Sequence, residues 1–193
     1  MRRNTLLSYY KISLLVLAYV LGAKTAMADE LSSLANTCNA CHSASMVSTV
    51  KTFPILHGQK SGYLAAQIMA FRDGVRVNPQ MQGVVDNLSD EQIQKLADYY
   101  AQQTFAREPI KEDSRSGVDV RARCVSCHGL SGHSVNTEWP NLQGQNSAYL
   151  YKQLADFAMG ARESMIMNVI ASELSDQQMK DVSDYYENQG RTH

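Results

Sequence analysis

The sequence predicts an all-α protein made of two tandem domains with the same fold. Three observations predict it: an internal repeat, amphipathic helical periodicity within each copy, and no alternating apolar–polar run long enough to suggest strands. The chain has 193 residues, enough for two small domains, and 44% of them are hydrophobic, as in ordinary globular proteins.

The repeat is visible when the chain is shifted by 86 residues against itself. The alignment runs from residue 38 to residue 100 without a gap, which chance does not produce, so the chain is a tandem duplication. Domain 1 is expected at residues 29–104 and domain 2 at residues 114–193, with a linker at 105–113 that carries Pro109 and mixed charges. The matching segments include Pro54–Gln59 with Pro140–Gln145, Leu88–Asp90 with Leu174–Asp176, and Asp98–Tyr100 with Asp184–Tyr186.

Two amphipathic helices are predicted in each copy. The closing helix begins with a capping box, formed by Ser89 and Gln92 in the first copy and by Ser175 and Gln178 in the second. An apolar stripe follows each box, and an earlier helix has a similar stripe. The stripes are Ile93, Leu96, Ala97 and Tyr100, then Met179, Val182 and Tyr186, and for the earlier helices Leu64, Ile68 and Phe71, then Leu150, Leu154 and Phe157.

The first 28 residues have the features of an export signal. Arg2, Arg3 and Lys11 give a positive start, and residues 12–23 are mostly apolar but too few to span a bilayer. An A-x-A cleavage site follows at residues 26–28. The alternative is an uncleaved membrane anchor. We favour a signal peptide at residues 1–28, the general secretory route and a periplasmic protein.

Charge limits the classes of partner. Removal of residues 1–28 takes away four of the 18 basic residues and none of the 19 acidic ones, which leaves a net charge of −5. An acidic chain is a poor nucleic-acid binder, since such proteins need a basic surface. A partner protein with a positive docking patch is more plausible.

All four cysteines occur in two copies of a single motif, Cys-x-x-Cys followed at once by His, and this motif attaches c-type haem. The two thiols bind the haem covalently, and the adjacent imidazole becomes an iron ligand. A thioredoxin-like redox pair or half of a zinc site would leave the histidine unexplained. The sequence therefore predicts two haem c groups, at Cys38, Cys41 and His42 and at Cys124, Cys127 and His128.

The repeat also selects the second iron ligand among nine methionines. Met81 and Met167 are the methionines that lie 86 residues apart, and each is seven residues before a Leu-Ser-Asp segment. Met165 is the competitor of Met167, but it aligns with Pro79, which cannot bind iron. An iron held by His and Met has no open position, so it is suited to electron transfer rather than to catalysis.

A proline follows each motif histidine by twelve residues, Pro54 after His42 and Pro140 after His128. A backbone carbonyl near this proline could accept the Nδ1–H of the histidine, which would fix the ring and tune its basicity. The alternative is an ordinary turn proline. The repeated spacing favours the contact with the histidine.

Together these motifs resemble the cytochrome c4 family, and the resemblance covers nearly all of residues 29–193. It rests on the haem motifs, on the Pro-x-Leu-x-Gly-Gln-x-x-x-Tyr-Leu segments (Pro54–Leu64 and Pro140–Leu150) and on the Met-to-Leu-Ser-Asp spacing. The resemblance implies two class I cytochrome c domains, each wrapped around one covalent haem, with Met81 and Met167 as axial ligands.

The resemblance also implies a role in the respiratory chain. Members of the family shuttle electrons, which gives a quinol:cytochrome c reductase as the expected donor and a terminal oxidase as the expected acceptor. Many associate with the membrane, so peripheral membrane association is among the expectations. The main alternative is a di-haem electron-transfer subunit of a larger enzyme, such as flavocytochrome c sulfide dehydrogenase. An enzyme in its own right, such as a small peroxidase, would need an open iron position.

Overall fold

The computed structural model describes residues 29–106 and 115–190. The predicted signal peptide and most of the predicted linker lie outside the described residues. All regular structure within the described ranges is helical, as predicted. The helices are α1 (residues 29–42), α2 (Ala44–Thr49), α3 (Ser61–Arg72), α4 (Pro79–Val85), α5 (Asp90–Gln102), α6 (Arg115–Arg121), α7 (Val125–His128), α8 (Ser147–Ala158), α9 (Met165–Ser172) and α10 (Asp176–Asn188).

The closing helices α5 and α10 begin as the sequence predicts. In both capping boxes the serine accepts from the glutamine backbone N–H, while the glutamine side chain accepts from the serine N–H. Two backbone donors that a helix start leaves unpaired are thereby satisfied. The predicted apolar stripes are buried, and Tyr100 and Tyr186 are the largest of their side chains.

The earlier helices pack against the closing ones, α3 against α5 and α8 against α10. Leu64 and Phe71 of α3 are buried, as are Leu150 and Phe157 of α8, while the predicted stripe residues Ile68 and Leu154 are partly buried. Full burial of a side chain of this kind stabilises a fold by about 1.5–3 kcal/mol. Among the described residues, those from Cys38 onward form one compact unit, and residues 29–37 belong to a separate one.

A glycine sets how closely α6 and α10 cross in the second copy. A Cβ atom on Gly117 would lie 2.4 Å from the backbone oxygen of Asp181 and 2.5 Å from Cβ of Tyr185. Both distances are far below van der Waals contact, so any side chain would push the helices apart. The close crossing brings α6, which leads to the second haem motif, against the closing helix.

The copies differ between the motif histidine and the proline twelve residues later. In the first copy this segment contains α2, whose Val47 is fully buried beside Ile55 and Phe105. The second copy instead forms a loop with Gly129 and Gly132, both at φ of +81°. This backbone conformation favours glycine, and the first copy has no glycine at the matching positions. A gap-free alignment therefore did not imply identical local structure.

The two copies contact each other through reciprocal hydrogen bonds. The Gln59 side chain donates to the Asn141 carbonyl at 2.9 Å and accepts from the Asn141 N–H at 2.7 Å. Gln145 makes the same pair of contacts with Ile55, at 3.0 and 2.9 Å. Each contact maps onto the other by the shift of 86, as a pseudo-twofold relation between the copies requires. These four bonds form the glutamine clamp.

Candidate haem sites

The motif histidines occupy equivalent positions. His42 is the last residue of α1 and His128 the last of α7, and both are buried. Their Nδ1 atoms lie 3.0 Å from the Pro54 carbonyl and 2.9 Å from the Pro140 carbonyl. Because a carbonyl can only accept, Nδ1 carries the proton and Nε2 keeps its lone pair. This is the tautomer that binds a metal through Nε2.

Burial supports the same protonation state. It lowers the pKa of both histidines, and the hydrogen bonds to Pro54 and Pro140 only partly oppose it. The neutral imidazole, which is the metal-binding form, is therefore favoured at neutral pH. Both prolines thus contact the residues that the sequence singled out, while their effect on an iron ligand stays a prediction.

None of the four motif cysteines forms a disulfide. Before haem attachment, burial raises the pKa of the Cys38 and Cys124 thiols. A tyrosine of the closing helix lies beside each of these two sulfur atoms, Tyr100 beside Cys38 and Tyr186 beside Cys124. The same tyrosine–cysteine arrangement therefore occurs in both copies.

A cavity of about 380 Å³ lies next to the second motif. Cys124, Cys127, His128 and Met167 all line it. Most of the remaining wall is apolar, with Leu150, Leu154, Phe157, Ile170 and Val182 among its side chains. Two thiols, an imidazole and a thioether in an apolar cavity are the donor set and surroundings that a c-type haem requires. The residues present therefore fit this group.

Helix α9 contains the two competing methionines of the second copy, and their side chains have different surroundings. Met167 is partly buried and lines the cavity, whereas Met165 is 94% exposed and does not. Ser164 fixes this register, since its hydroxyl accepts from the Met167 N–H and caps the helix. Met165 would have to turn inward by a large rotation to approach the cavity.

Met81 has the corresponding position in α4 and is also partly buried. The side chain of Asn78 caps this helix by accepting from the Met81 N–H at 3.2 Å. The haem motif and the methionine that line the cavity described above are those of the second copy, and Met81 is not part of its wall. Iron ligation by Met81 and Met167 stays a prediction from the repeat.

Sequence reasoning missed part of the cavity wall. The cavity extends across the boundary between the copies, where Arg76 and Arg162 contribute to it. The repeat alignment already pairs these two arginines, together with the glutamines and tyrosines beside them. The sequence signal that could have indicated these wall residues was an arginine that occurs at the same position in both copies.

Comparison with known proteins gives two family matches. Residues 117–189 match the family model described as Cytochrome c, and residues 26–99 match the one described as Cytochrome C oxidase, cbb3-type, subunit III. Within the described ranges, no helix is both long and apolar enough to cross a membrane.

Similar proteins extend over most of the chain. A cytochrome c4 of Pseudomonas aeruginosa is 32% identical, over 90% of this chain and 95% of its own length. A thiosulfate dehydrogenase electron acceptor of Stutzerimonas stutzeri is 33% identical, over 81% of each chain. The crystal structure of reduced cytochrome c4 from Pseudomonas stutzeri superposes with a TM-score of 0.71 at 29% identity, over 80% of this chain and 93% of that one.

Proposed function

Because the chain belongs to the cytochrome c4 family, whose members are di-haem electron-transfer proteins and not enzymes, we propose that it carries electrons between respiratory-chain components of the periplasm. The proposed donor is a quinol:cytochrome c reductase and the proposed acceptor is a terminal oxidase. The bound haem supplies a one-electron couple at its iron. The residues of the chain would hold that iron through an imidazole and a thioether and would shield it from solvent.

One observation supports this proposal most: His128 and Met167 line one cavity together with both cysteines of the second motif. Ligation by both would leave no position for a small substrate, so the site is suited to passing electrons. The repeat supports the same set in the first copy, with His42 and Met81 as ligands. The proposed covalent attachment is through Cys38 and Cys41 there, and through Cys124 and Cys127 in the second copy.

A second donor is supported by the comparisons. Relatives from Stutzerimonas stutzeri and from Thiomonas intermedia, 33% and 29% identical, are named thiosulfate dehydrogenase electron acceptors. An enzyme that oxidises a sulfur compound is therefore a candidate partner of this chain. That partner also keeps open the alternative of a dedicated subunit of a larger enzyme.

Stopped-flow spectroscopy tests these partners. The reduced protein is mixed with a purified terminal oxidase, and the oxidised protein with a thiosulfate dehydrogenase and thiosulfate. We expect rapid oxidation by the oxidase, at a rate that falls as ionic strength rises, because the predicted net charge of −5 favours a basic docking surface. No reaction with the oxidase, together with rapid reduction by the dehydrogenase and stable co-purification with it, would favour the subunit instead.

A further inference from the structure

The two tyrosines beside the motif cysteines have different hydrogen-bond partners. Tyr100 and Tyr186 are equivalent in the repeat, and the two residues are 1% and 2% exposed. Each lies in a closing helix beside the first cysteine of its motif, Cys38 or Cys124. The functions proposed so far use these cysteines and not the tyrosine hydroxyls. Because a buried hydroxyl normally has a partner, a difference between the two partners calls for an explanation.

In the first copy the hydroxyl has an oxygen acceptor. Tyr100 donates to the side-chain oxygen of Asn39 at 2.9 Å. Asn39 directly follows Cys38, so this acceptor comes from within the haem motif itself. An amide oxygen is a stronger acceptor than sulfur, which accepts only weakly. The Tyr100 proton is therefore directed to Asn39 in preference to the Cys38 sulfur.

In the second copy this acceptor is missing. The position that corresponds to Asn39 is Val125, whose side chain has no polar atom. The hydroxyl oxygen of Tyr186 is buried, and within the described part of the chain it has no oxygen or nitrogen partner. The group beside it that can accept a hydrogen bond is the Cys124 sulfur. Since an unpaired buried hydroxyl is costly, even a weak acceptor is favoured here.

Both hydroxyls keep their protons at neutral pH. Burial is the main cause that raises the pKa of Tyr100 and of Tyr186. Each hydroxyl is therefore available as a donor. Tyr186 also lines the cavity of about 380 Å³, together with Cys124 and His128. The donor thus belongs to the wall of the space that suits the second haem.

The two rings are held in similar ways. Tyr186 packs edge to face on Tyr185 with ring centres 5.3 Å apart, and Tyr100 packs in the same way on Tyr99 at 5.1 Å. A ring fixed by its neighbours keeps its hydroxyl in one position. The two sites therefore share the placement of the donor and differ in the acceptor beside it.

We propose that Tyr186 donates a hydrogen bond to the sulfur through which Cys124 binds the second haem. In the first copy, Asn39 withholds this bond from the haem by accepting from Tyr100. A donor to the sulfur withdraws electron density and favours the reduced haem, so Tyr186 raises the potential of the second haem. Both act through a neighbouring residue and are positioning residues. The inference rests on the di-haem function proposed above, but not on the identity of the electron donor or acceptor.

The first test removes each hydroxyl in turn. Y186F should lower the equilibrium constant for reduction of the second haem about threefold, or about 28 mV for one electron at about 59 mV per tenfold change. Y100F is the matched control and should change the first haem far less, because its hydroxyl is bound to Asn39. Redox titration followed by NMR separates the two haems through their paramagnetically shifted resonances. No shift in Y186F, or equal shifts in the two variants, would overturn the proposal.

Exchange of the residue after the first cysteine tests the role of the acceptor. V125N gives the second copy an amide oxygen and should lower the potential of its haem toward that of Y186F. N39V frees the Tyr100 hydroxyl and should raise the potential of the first haem about threefold. The double variant N39V/Y100F should lose this rise. A rise that persists in the double variant would assign the effect to the lost amide and overturn the proposal.

Vibrational spectroscopy separates a hydrogen bond from a packing effect. Transfer of the wild type from H₂O to D₂O replaces the hydroxyl proton of Tyr186. This should shift a carbon–sulfur stretching band of the thioethers in the resonance Raman spectrum, and Y186F should lack the shift. The same isotope shift in both proteins, or in neither, would mean that the hydroxyl does not bind the sulfur and would overturn the proposal.

Intact-mass measurement of each protein precedes the titrations. Wild type with fewer than two haem masses would count against the di-haem function itself. Wild type and variants with two haems but unchanged potentials would count against the role of Tyr186 alone. If Y186F retains fewer haems than wild type, V125N decides by the same criterion, since it leaves Tyr186 in place. The two failures are therefore distinguishable.

Discussion

The two copies agree at the ends of the haem-binding segment and differ between them. Both histidines contact a proline carbonyl twelve residues later, at 3.0 and 2.9 Å. Between these ends the first copy forms α2 and the second forms a glycine-containing loop. A duplicated domain can thus keep the contact that orients its motif histidine while the chain between the contact points changes its fold.

The loop of the second copy is stabilised by polar contacts rather than by apolar ones. Ser134 is fully buried, and its hydroxyl contacts the Cys127 carbonyl and the Asn136 backbone. The Asn141 side chain accepts from the Ser134 N–H at 3.0 Å. In the first copy, Val47 of α2 instead packs in an apolar cluster with Ile55 and Phe105. We therefore expect the loop of the second copy and α2 of the first copy to respond differently to substitution.

The largest expected effect is the loss of a single haem site. Replacing His128 by Ala should remove the His/Met spectrum of the second copy and leave that of the first, because in the proposed arrangement each copy supplies its own ligands. His42→Ala should do the reverse. Absorbance spectra of the two variants, with intact mass as the control for covalent attachment, measure this. Loss of both His/Met signals from either substitution would contradict independent ligand sets.

A smaller effect is expected from the axial methionines. Met167→Ala should remove about half of the ferric methionine–iron charge-transfer band and lower the potential of the second haem, because a thioether favours ferrous iron. Met81→Ala should do the same for the first haem. Met165→Ala is the control, since its side chain is 94% exposed. The repeat-based register is wrong if Met165→Ala loses half of the band while Met167→Ala keeps it.

The loop should respond more strongly than α2 to a change at equivalent positions. A Cβ atom on Gly132 would lie 2.7 Å from the Tyr186 ring and 2.9 Å from the Gln143 nitrogen, at a φ that disfavours side chains. Gly132→Ala should therefore reduce the free energy of unfolding by about 2–3 kcal/mol. Met46→Ala, the matched change in α2, should cost less than about 1 kcal/mol, since alanine favours helices. Denaturant unfolding curves of the two variants measure these free energies. Equal losses in the two variants would contradict the expected difference between the loop and α2.

The smallest effect concerns a contact that one copy lacks. Asn146 has 0% exposure and donates to the carbonyls of Val47 and Phe53 in the other copy, both at 2.8 Å. The equivalent residue of the first copy is Lys60. Asn146→Ala should cost about 1–3 kcal/mol by leaving buried carbonyls unpaired, whereas Lys60→Ala should cost almost nothing. Thermal unfolding measures the stability of both variants. A larger loss of stability for Lys60→Ala than for Asn146→Ala would contradict this difference between the copies.

Much of this fold follows from local sequence signals. The capping boxes and the apolar stripes of α3, α5, α8 and α10 act within a single helix, so periodicity and capping chemistry predict them. The haem motifs are equally local, because two thiols and an imidazole are adjacent in the chain. The same holds for Met81 and Met167 as candidates, since the repeat gives their register.

The remainder depends on contacts between distant residues. Nothing near Arg76 in the sequence indicates that its guanidinium lies beside that of Arg162, which only the packing of the copies decides. Sequence patterns did not predict the loop after Gly129 for a related reason. The repeat is defined by residues that match between the copies, whereas Gly129 and Gly132 have no glycine counterpart in the first copy. Backbone conformation and packing between the copies were therefore the parts that sequence patterns did not reveal.

The glutamine clamp has a consequence for how the two halves of this chain can diverge. Gln59 and Gln145 bind the peptide groups of Asn141 and Ile55 and not their side chains, so these four bonds do not depend on which side chain occupies either position. This explains how an asparagine and an isoleucine can occupy equivalent positions in one pseudo-symmetric contact between the copies. Each half can then change these side chains while the four clamp bonds persist, and the second copy adds a contact of its own, since the Asn141 amide donates to the Gly58 carbonyl at 3.1 Å.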